Sequence, residues 1–216
     1  MYKIIPYSVN SGLENMKTDS DLLDYAIDQK LEYPILRFYG WKPACVSLGR
    51  NQSDDFLNKD LLKSKGIDVV RRLTGGRALL HADEITYSYV CPASILKDGE
   101  SIVASYKEIC TFLIDKFKIL GIELDFGSKR VSTKFDYCMM VSTGADLCYK
   151  GKKLIGSAQC RKHGYILQHG SIMYDYNQEL LREIFGENNY AEEITSIKEI
   201  DSGVTKESII NILSST

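Results

Sequence analysis

Proline is scarce in this chain, four in 216 residues, and no stretch is rich in Pro, Gly or Ser, so the sequence offers no interdomain linker. No run approaches the roughly 18 consecutive apolar residues of a membrane-spanning helix. The opening "MYKIIPYSVNSGLENMKTDSD" lacks a basic segment followed by a long apolar one, which argues against a secretory signal. An excess of charge of either sign is also missing. The formal net charge is −2, which gives no general attraction to nucleic acid or to an anionic membrane, so neither is expected as a partner. The six cysteines, Cys45, Cys91, Cys110, Cys138, Cys148 and Cys160, form no CxxC and no spacing with histidine that would suit zinc. In the cytoplasm, the expected location, they read as reduced thiols. Neither GxxxxGK[ST] nor GxGxxG is present, so nucleotide phosphate binding gains no support from a glycine loop.

What is present is an ordinary folded composition, 44% hydrophobic and 26% charged, long enough to bury a substantial core. Apolar residues at helical spacing in "MKTDSDLLDYAIDQKL" predict a helix capped by Thr18 or Asp19. "YPILRFYGW" and "ACVSLG" read as strands split by a turn at Lys42-Pro43, and "SDDFLNKDLLKSKG" as a helix stopped by Gly66. "IDVVRRL" is a strand entering a Gly-Gly turn, and "EITYSYV" alternates as a strand should. The stripe Ile102, Tyr106, Ile109, Leu113 and Phe117 predicts a helix over 101–120 packed on a sheet. After "GIELDFGSKR" and an irregular stretch, "ADLCYKG", "KKLIGSAQC" and "YILQHGSIMYD" predict three strands joined by hairpin turns at Lys150-Gly151 and His163-Gly164. "NQELLREIFG" and "TKESIINIL" close the chain as helices. Helices interspersed with antiparallel strands make the expected class α+β: mixed, largely antiparallel sheets flanked by helices.

Two constellations carry chemistry. In "RRLTGGRALLH", Arg72 and Arg77 bracket Gly75 and Gly76, whose missing side chains let backbone approach a ligand, and His81 follows on the next strand. A plain Gly-Gly hairpin with solvated arginines fits that spacing equally well. In "GKKLIGSAQCRKHGYILQHGSIMYD", Lys153 leads into apolar residues although a buried ammonium costs several kcal/mol unless it is paired or used. Cys138 lies fifteen positions earlier in the irregular "KFDYCMMVSTGAD", where a thiol is accessible to act as a nucleophile if a cation supports its thiolate. On residue spacing alone, this pair means little.

"WKPACVSLGRNQ", "RRLTGGRALLHADEITYSY" and "GKKLIGSAQCRKHGYILQHGSIMYD" together resemble the lipoate-ligase and octanoyltransferase superfamily, whose catalytic domain is of the biotin/lipoate protein ligase type. The resemblance spans residues 2 to 200 and is nearest to the cysteine-dependent octanoyltransferases of the LipM type. Gly75-Gly76-Arg77 stands where ATP-using ligases more often have a third glycine. Glu84-Ile85-Thr86-Tyr87-Ser88 is similar to that group's E-L-T-Y-S, and Cys138 precedes the glycine of GKK by thirteen residues, as that group's nucleophile does. The loop "CMMVSTGAD" departs from the Pro-Ser-Trp-Tyr-Glu wording that follows the family's cysteine.

The resemblance implies that Cys138 and Lys153 are catalytic and that Lys153 points into the acyl pocket, with Lys152 outward. It implies that Gly156, Ser157 and Ala158 are small in order to admit an eight-carbon chain, and that His169 and Gly170 line or support the site. His163 reads as a solvated turn residue. The implied organisation is one catalytic domain over 1–216 without a separate C-terminal accessory domain. The implied reaction moves octanoyl from acyl carrier protein to a lysine of a lipoyl domain (glycine cleavage H protein or a 2-oxoacid dehydrogenase E2), with no metal and no ATP. Backbone N–H groups near Gly156 or Gly76 are the expected oxyanion donors. The rivals are an ATP-dependent lipoate ligase, an amidotransferase between lipoyl domains and a non-catalytic acyl- or biotin-binding module. Replacing Lys153 by Met is expected to preserve the fold, because a buried charge is removed.

Overall fold

The structure, a computed structural model, describes residues 2–127, 136–140, 144–186 and 189–215. In chain order its elements are β1 (Lys3–Asn10), α1 (Gly12–Asp28), β2 (Ile35–Trp41), β3 (Cys45–Leu48), α2 (Lys59–Ser64), β4 (Asp68–Arg71), β5 (Leu79–His81), β6 (Glu84–Pro92), α3 (Ile102–Ile119), β7 (Asp125–Phe126), β8 (Leu147–Tyr149), β9 (Lys152–Lys162), β10 (Tyr165–Met173), α4 (Gln178–Phe185), α5 (Tyr190–Glu193), α6 (Ile197–Ile200) and α7 (Lys206–Ser214). The larger sheet has seven strands in the order β1-β2-β6-β10-β9-β8-β7; β1 and β2 run parallel and the other neighbours antiparallel. The smaller sheet is β4-β3-β5, with β3 and β4 parallel and β3 and β5 antiparallel. The class is α+β, as the sequence predicts. Among the described residues no helix is long and apolar enough to cross a membrane.

The centre of the large sheet forms where local signals are strongest. Lys150 and Gly151 have φ of 48° and 81°, and His163 and Gly164 have 50° and 79°. Two consecutive positive φ values make the tight turn whose twist matches antiparallel strands, so β8-β9 and β9-β10 close as the sequence predicts. The resulting register sets Ala158 opposite His169, Ser157 opposite Gly170 and Gly156 opposite Ser171. Small residues thus meet across two central strands, hollowing the sheet at that level. Around them Phe38, Ile85, Leu113, Phe117, Leu154, Ile155 and Ile172 pack as a continuous, fully buried core.

Three local expectations are corrected. Helix α1 begins at Gly12, because Ser11 and Glu14 form a reciprocal capping box. Asp19 is therefore a buried mid-helix residue and no cap. Strands β4 and β5 do not pair with each other; both flank β3, so Gly75 and Gly76 form a lip between strands instead of a hairpin. That lip is held close to Gly49, where an added Cβ would lie 1.9 Å from the Gly76 carbonyl oxygen. In α3, Ile109, Leu113 and Phe117 are buried, but Ile102 at the capped start is 61% exposed. The irregular stretch 128–135 and the segment 141–143 of the "CMMVSTGAD" loop lie outside the described residues.

Candidate active site

Cys138 opens a single 3-10 turn, Cys138–Met140, fastened to the segment that follows the Gly-Gly lip. The Cys138 N–H donates to the Ala78 carbonyl at 2.7 Å and the Ala78 N–H to the Asp136 carbonyl at 3.0 Å. On its other side the Tyr137 ring stacks on Phe185, centroids 4.6 Å apart, and meets Tyr190 edge-on. Met139 and Met140, the departures from the family wording, fill the core beneath the turn. Cys138 is half-buried, as an accessible nucleophile requires. Cys45, Cys91 and Cys110 are buried, and burial pushes Cys45 up to about 12, Cys91 up to about 12 and Cys110 up to about 11, which keeps them protonated and inert.

Strand alternation turns Lys152 outward and Lys153 inward, where it is 2% exposed. Its Nζ donates to the Cys138 carbonyl at 3.1 Å and meets the Asp146 carboxylate at 3.0 Å. Burial works against its charge, but attraction to Cys138 and Asp146 outweighs burial and holds the ammonium above its ordinary value. Gly156 gives the lysine room, since a Cβ there would lie 2.8 Å from Lys153 Cε and 3.0 Å from Met139 Sδ. The unusual lysine of the sequence is thus an ion-paired group directly beneath the Cys138 backbone. Its partner Asp146 also corrects the expectation that Lys153→Met would leave the fold unharmed. The substitution strands a buried carboxylate, which costs about 3–5 kcal/mol.

A second buried cation, Arg72, stands on the other side. Its guanidinium donates to Ser47 Oγ at 2.7 Å and to the carbonyls of Ser47, Gly75 and Arg77, bracing the lip from below. Two parallel chains of hydrogen bonds leave it. Ser47 Oγ meets His81 Nε2 at 2.6 Å, and His81 Nδ1 meets Glu84 at 2.6 Å. Thr74 Oγ1, which Arg72 Nε reaches at 3.4 Å, meets His169 Nε2 at 2.8 Å, and His169 Nδ1 meets Asp19 at 3.0 Å. A carboxylate only accepts, so each histidine carries its proton on Nδ1 and offers Nε2 to a hydroxyl. Both carboxylates are further held. Glu84 accepts from Thr86 at 2.5 Å and from Ser171, while Asp19 accepts from Tyr39 at 2.8 Å and from Arg37 at 3.0 Å. Burial lowers His81, and the donors around Glu84 outweigh burial to hold its carboxyl below the usual range, so the pair is a neutral imidazole against a carboxylate.

The structure brings every sequence-predicted site residue into two adjoining cavities. A narrow apolar one, with only about 30 Å³ of free space, is lined by Arg72, His81, Gly156, Ser157, Ala158, His169 and Gly170 together with Met16, Tyr39 and Trp41. A wider cleft of about 560 Å³ is lined by Gly75, Gly76, Arg77, Lys153, Ser157, Ala158 and Asp146. Cys138 lines both and so stands where they meet. Gly170 acts by absence of bulk, since a Cβ would lie 2.5 Å from Ser157 Oγ. His81 stacks on Trp41 with centroids 3.8 Å apart, forming part of the cavity wall. Sequence reading missed Asp146, Asp19, Ser47 and Thr74. For Asp146 a signal existed: a hairpin turn at Lys150-Gly151 sets the residues just before Leu147 beside those just after Lys153.

The chain matches the family described as Lipoyl protein ligase A/B catalytic domain over residues 11–214. It is 37% identical to an octanoyltransferase LipM of Macrococcus caseolyticus over 82% of this chain and 67% of that protein. It is 38% identical to one of Lysinibacillus sphaericus over 83% and 69%, and 34% identical to one of Staphylococcus aureus over 95% and 78%. Among solved structures, a lipoate-protein ligase A bound with ATP superposes with a TM-score of 0.76 at 21% identity, covering 98% of this chain and 81% of that one. A bipartite lipoate protein ligase from Thermoplasma acidophilum gives 0.71 at 20% identity, over 98% and 80%. At those identities the structural likeness speaks for the fold. Taken with the octanoyltransferase relatives, it leads to one statement: this chain belongs to the lipoyl protein ligase A/B catalytic-domain family.

Proposed function

We propose that this protein is an octanoyltransferase of lipoate biosynthesis that acts on protein substrates through a thioester on Cys138. The transfer activity follows the octanoyltransferase relatives, whose identity of 34–38% runs through most of the chain. The observation that carries the covalent route is the position of Cys138 at the junction of an apolar cavity and an open cleft, with the buried Lys153–Asp146 pair beneath it. An acyl chain in the cavity and a leaving or attacking group in the cleft would present their shared carbonyl to the sulfur. With free space for little more than one water, the cavity has to widen for eight carbons, and the unbranched Met16 is the lining side chain best able to give way.

Two steps follow. The Cys138 thiolate attacks the donor thioester; the carbonyl–sulfur bond to the donor breaks, and the donor thiolate leaves with a proton from the Lys153 ammonium. The acceptor lysine amine then attacks the Cys138 thioester; an amide forms, the amine's proton passes to the now neutral Lys153, and the Cys138 thiolate is released. Donor and intermediate are both thioesters, so the first step is nearly isoenergetic and the second is driven by amide formation. The donor in this reading is octanoyl-acyl carrier protein, the acceptor a lipoyl-domain protein, and ATP has no part. The test is incubation of the purified protein with octanoyl-acyl carrier protein without nucleotide. A gain of one octanoyl group on the intact protein, located at Cys138, is expected; acylation only with ATP and a free acid would establish a ligase instead.

A further inference from the structure

The wide cleft adjoins a further hollow of about 320 Å³, lined by Arg50, Leu73, Cys160 and Arg161; the two share Gly75, Ile102, Tyr106 and Gln159. Apolar side chains stand exposed along this path: Ile102 and Val103 are each 61% exposed and Leu73 is 37% exposed. Its far end is basic, and among the described residues no carboxylate lines it. Arg161 is held by Gln159, Ser105 and the carbonyls of Gly99, Glu100 and Ser101, all neutral oxygens, and makes no ion pair among the described residues. Arg50 is anchored through its backbone N–H to the Thr74 carbonyl at 2.9 Å, while its exposed guanidinium makes no ion pair among the described residues. From Gly156, beside Lys153, to Arg161 is five strand residues, roughly 17 Å at the usual rise.

We propose that this outer hollow receives the thiol half of the acyl donor: a linear, amide-bearing arm with its sulfur at Cys138 and its phosphodiester against Arg50 and Arg161. The proposal rests on the reading of the chain as a thioester-consuming transferase. A carrier-protein prosthetic arm, with two amides between sulfur and phosphate, spans about five extended residues, roughly 17 Å, which matches the distance along β9. Its carbon segments cover Leu73, Ile102 and Val103, which otherwise face water. Its phosphate meets a free planar fork at Arg50, suited to two parallel charge-assisted hydrogen bonds, within the field of Arg161.

The test compares three octanoyl thioesters as donors to Cys138 by intact-protein mass: octanoyl-acyl carrier protein, octanoyl-phosphopantetheine and octanoyl-pantetheine, which lacks the phosphate. Arg50→Glu is the variant, chosen because Arg50 is exposed and outside the catalytic centre. The second-order rate should fall about tenfold or more for both phosphate-bearing donors, as expected for loss of one strong charge-assisted contact. It should hold within about twofold for octanoyl-pantetheine, whose arm has no charge to lose. A loss with the carrier protein but not with octanoyl-phosphopantetheine would place Arg50 against the carrier's surface and overturn the phosphate assignment. An equal loss with all three would overturn it as well. If wild-type protein accepts octanoyl from none of the three, the transferase reading itself falls, and the arm site with it.

Discussion

The two buried cations beside Cys138 are built on different plans. Arg72 is surrounded by neutral oxygens, three carbonyls and two hydroxyls, and its charge spreads outward through two hydroxyl–histidine–carboxylate chains. Lys153 meets a carboxylate directly and the Cys138 carbonyl. An arginine keeps its proton under all working conditions, so Arg72 can only brace and polarise. A lysine can release one, and its carboxylate partner and burial decide when. In the proposed reaction the comparison separates a wall that stays fixed from a group that changes state.

Cys138, which both cations flank, is the place to break the comparison with the largest effect. Cys138→Ser should abolish the trappable thioester and reduce octanoyl transfer to background, whereas Cys45, Cys110 and Cys160 substitutions should leave both intact. Mass spectrometry after incubation with donor reads the first, and single-turnover transfer the second. Near-normal transfer by Cys138→Ser would remove the covalent route.

Next in size is Lys153→Met. Transfer should fall by about 10²–10⁴-fold, the usual worth of a positioned proton donor and acceptor. Stability should fall as well, because the buried Asp146 loses the Lys153 ammonium. The double variant Lys153→Met/Asp146→Asn separates the two effects: it should recover most of the lost melting temperature while transfer stays down. Recovery of activity with stability would make Lys153 a structural ion pair only.

Arg72→Lys sharpens the other half. It keeps a charge but not the fork that reaches Ser47, Thr74 and the lip carbonyls together, and it leaves buried acceptors unmet at about 1–3 kcal/mol. Stability should drop and acyl-enzyme formation slow by about tenfold, with the pH profile unmoved because no titrating group is lost. A displaced profile would show that Arg72 also tunes Lys153.

The pH dependence of Lys153 follows from its surroundings. In the free protein burial works against its charge, but the charges of Cys138 and Asp146 hold it above the ordinary lysine value, so it stays an ammonium, ready to donate, through the neutral range. The stability this contributes is present below the unfolded lysine value and is lost as pH rises through the higher folded one. Acylation makes the Cys138 sulfur a neutral thioester and removes one of the supports that raise the lysine, so burial regains ground and the lysine titrates lower. Aminolysis of a preformed acyl-enzyme should therefore rise with pH along a curve centred below the point where thioester formation fails, and Asp146→Asn should move that curve further down. Coincident curves for the two half-reactions would show that acylation leaves Lys153 unchanged.

What was legible in the sequence divides along the same line. The hairpins around Lys150-Gly151 and His163-Gly164, the alternation that turns Lys153 inward and the small residues at 156–158 are local signals, and the structure follows them. Where α1 starts was misjudged because the buried Asp19 serves Arg37 and His169, partners 18 and 150 positions away, rather than its own helix end. For the Gly-Gly lip a hairpin stayed open beside a ligand loop, because nothing local shows that β3 inserts between β4 and β5. Arg72 and His81 were read as one constellation and His169 as a site residue by resemblance, but not as linked through Ser47 and Thr74. Their common network exists because distant strands converge, a property of topology that spacing along the chain does not carry.

The smallest expected effect tests the strand register on which the Lys153 assignment depends. Lys152 precedes Lys153 on β9, and the two-residue period sends its side chain to the opposite, exposed face. It opposes Tyr149 across the β8-β9 ladder, at the end beside the Lys150-Gly151 turn and away from the junction of the two cavities. Lys152→Met should therefore change stability by no more than about 0.5 kcal/mol, the usual range for an exposed position. Single-turnover transfer should match the unaltered protein under conditions where Lys153→Met has lost most of its rate. If Lys152→Met is instead the inactive variant, the strand is shifted by one residue, every inward and outward side chain on β9 exchanges faces, and Gly156 and Ala158 leave the cavity wall together. A loss in both variants would show that the pair acts through the net charge of the strand end, and raising the salt concentration would then reproduce part of the defect in the unaltered protein.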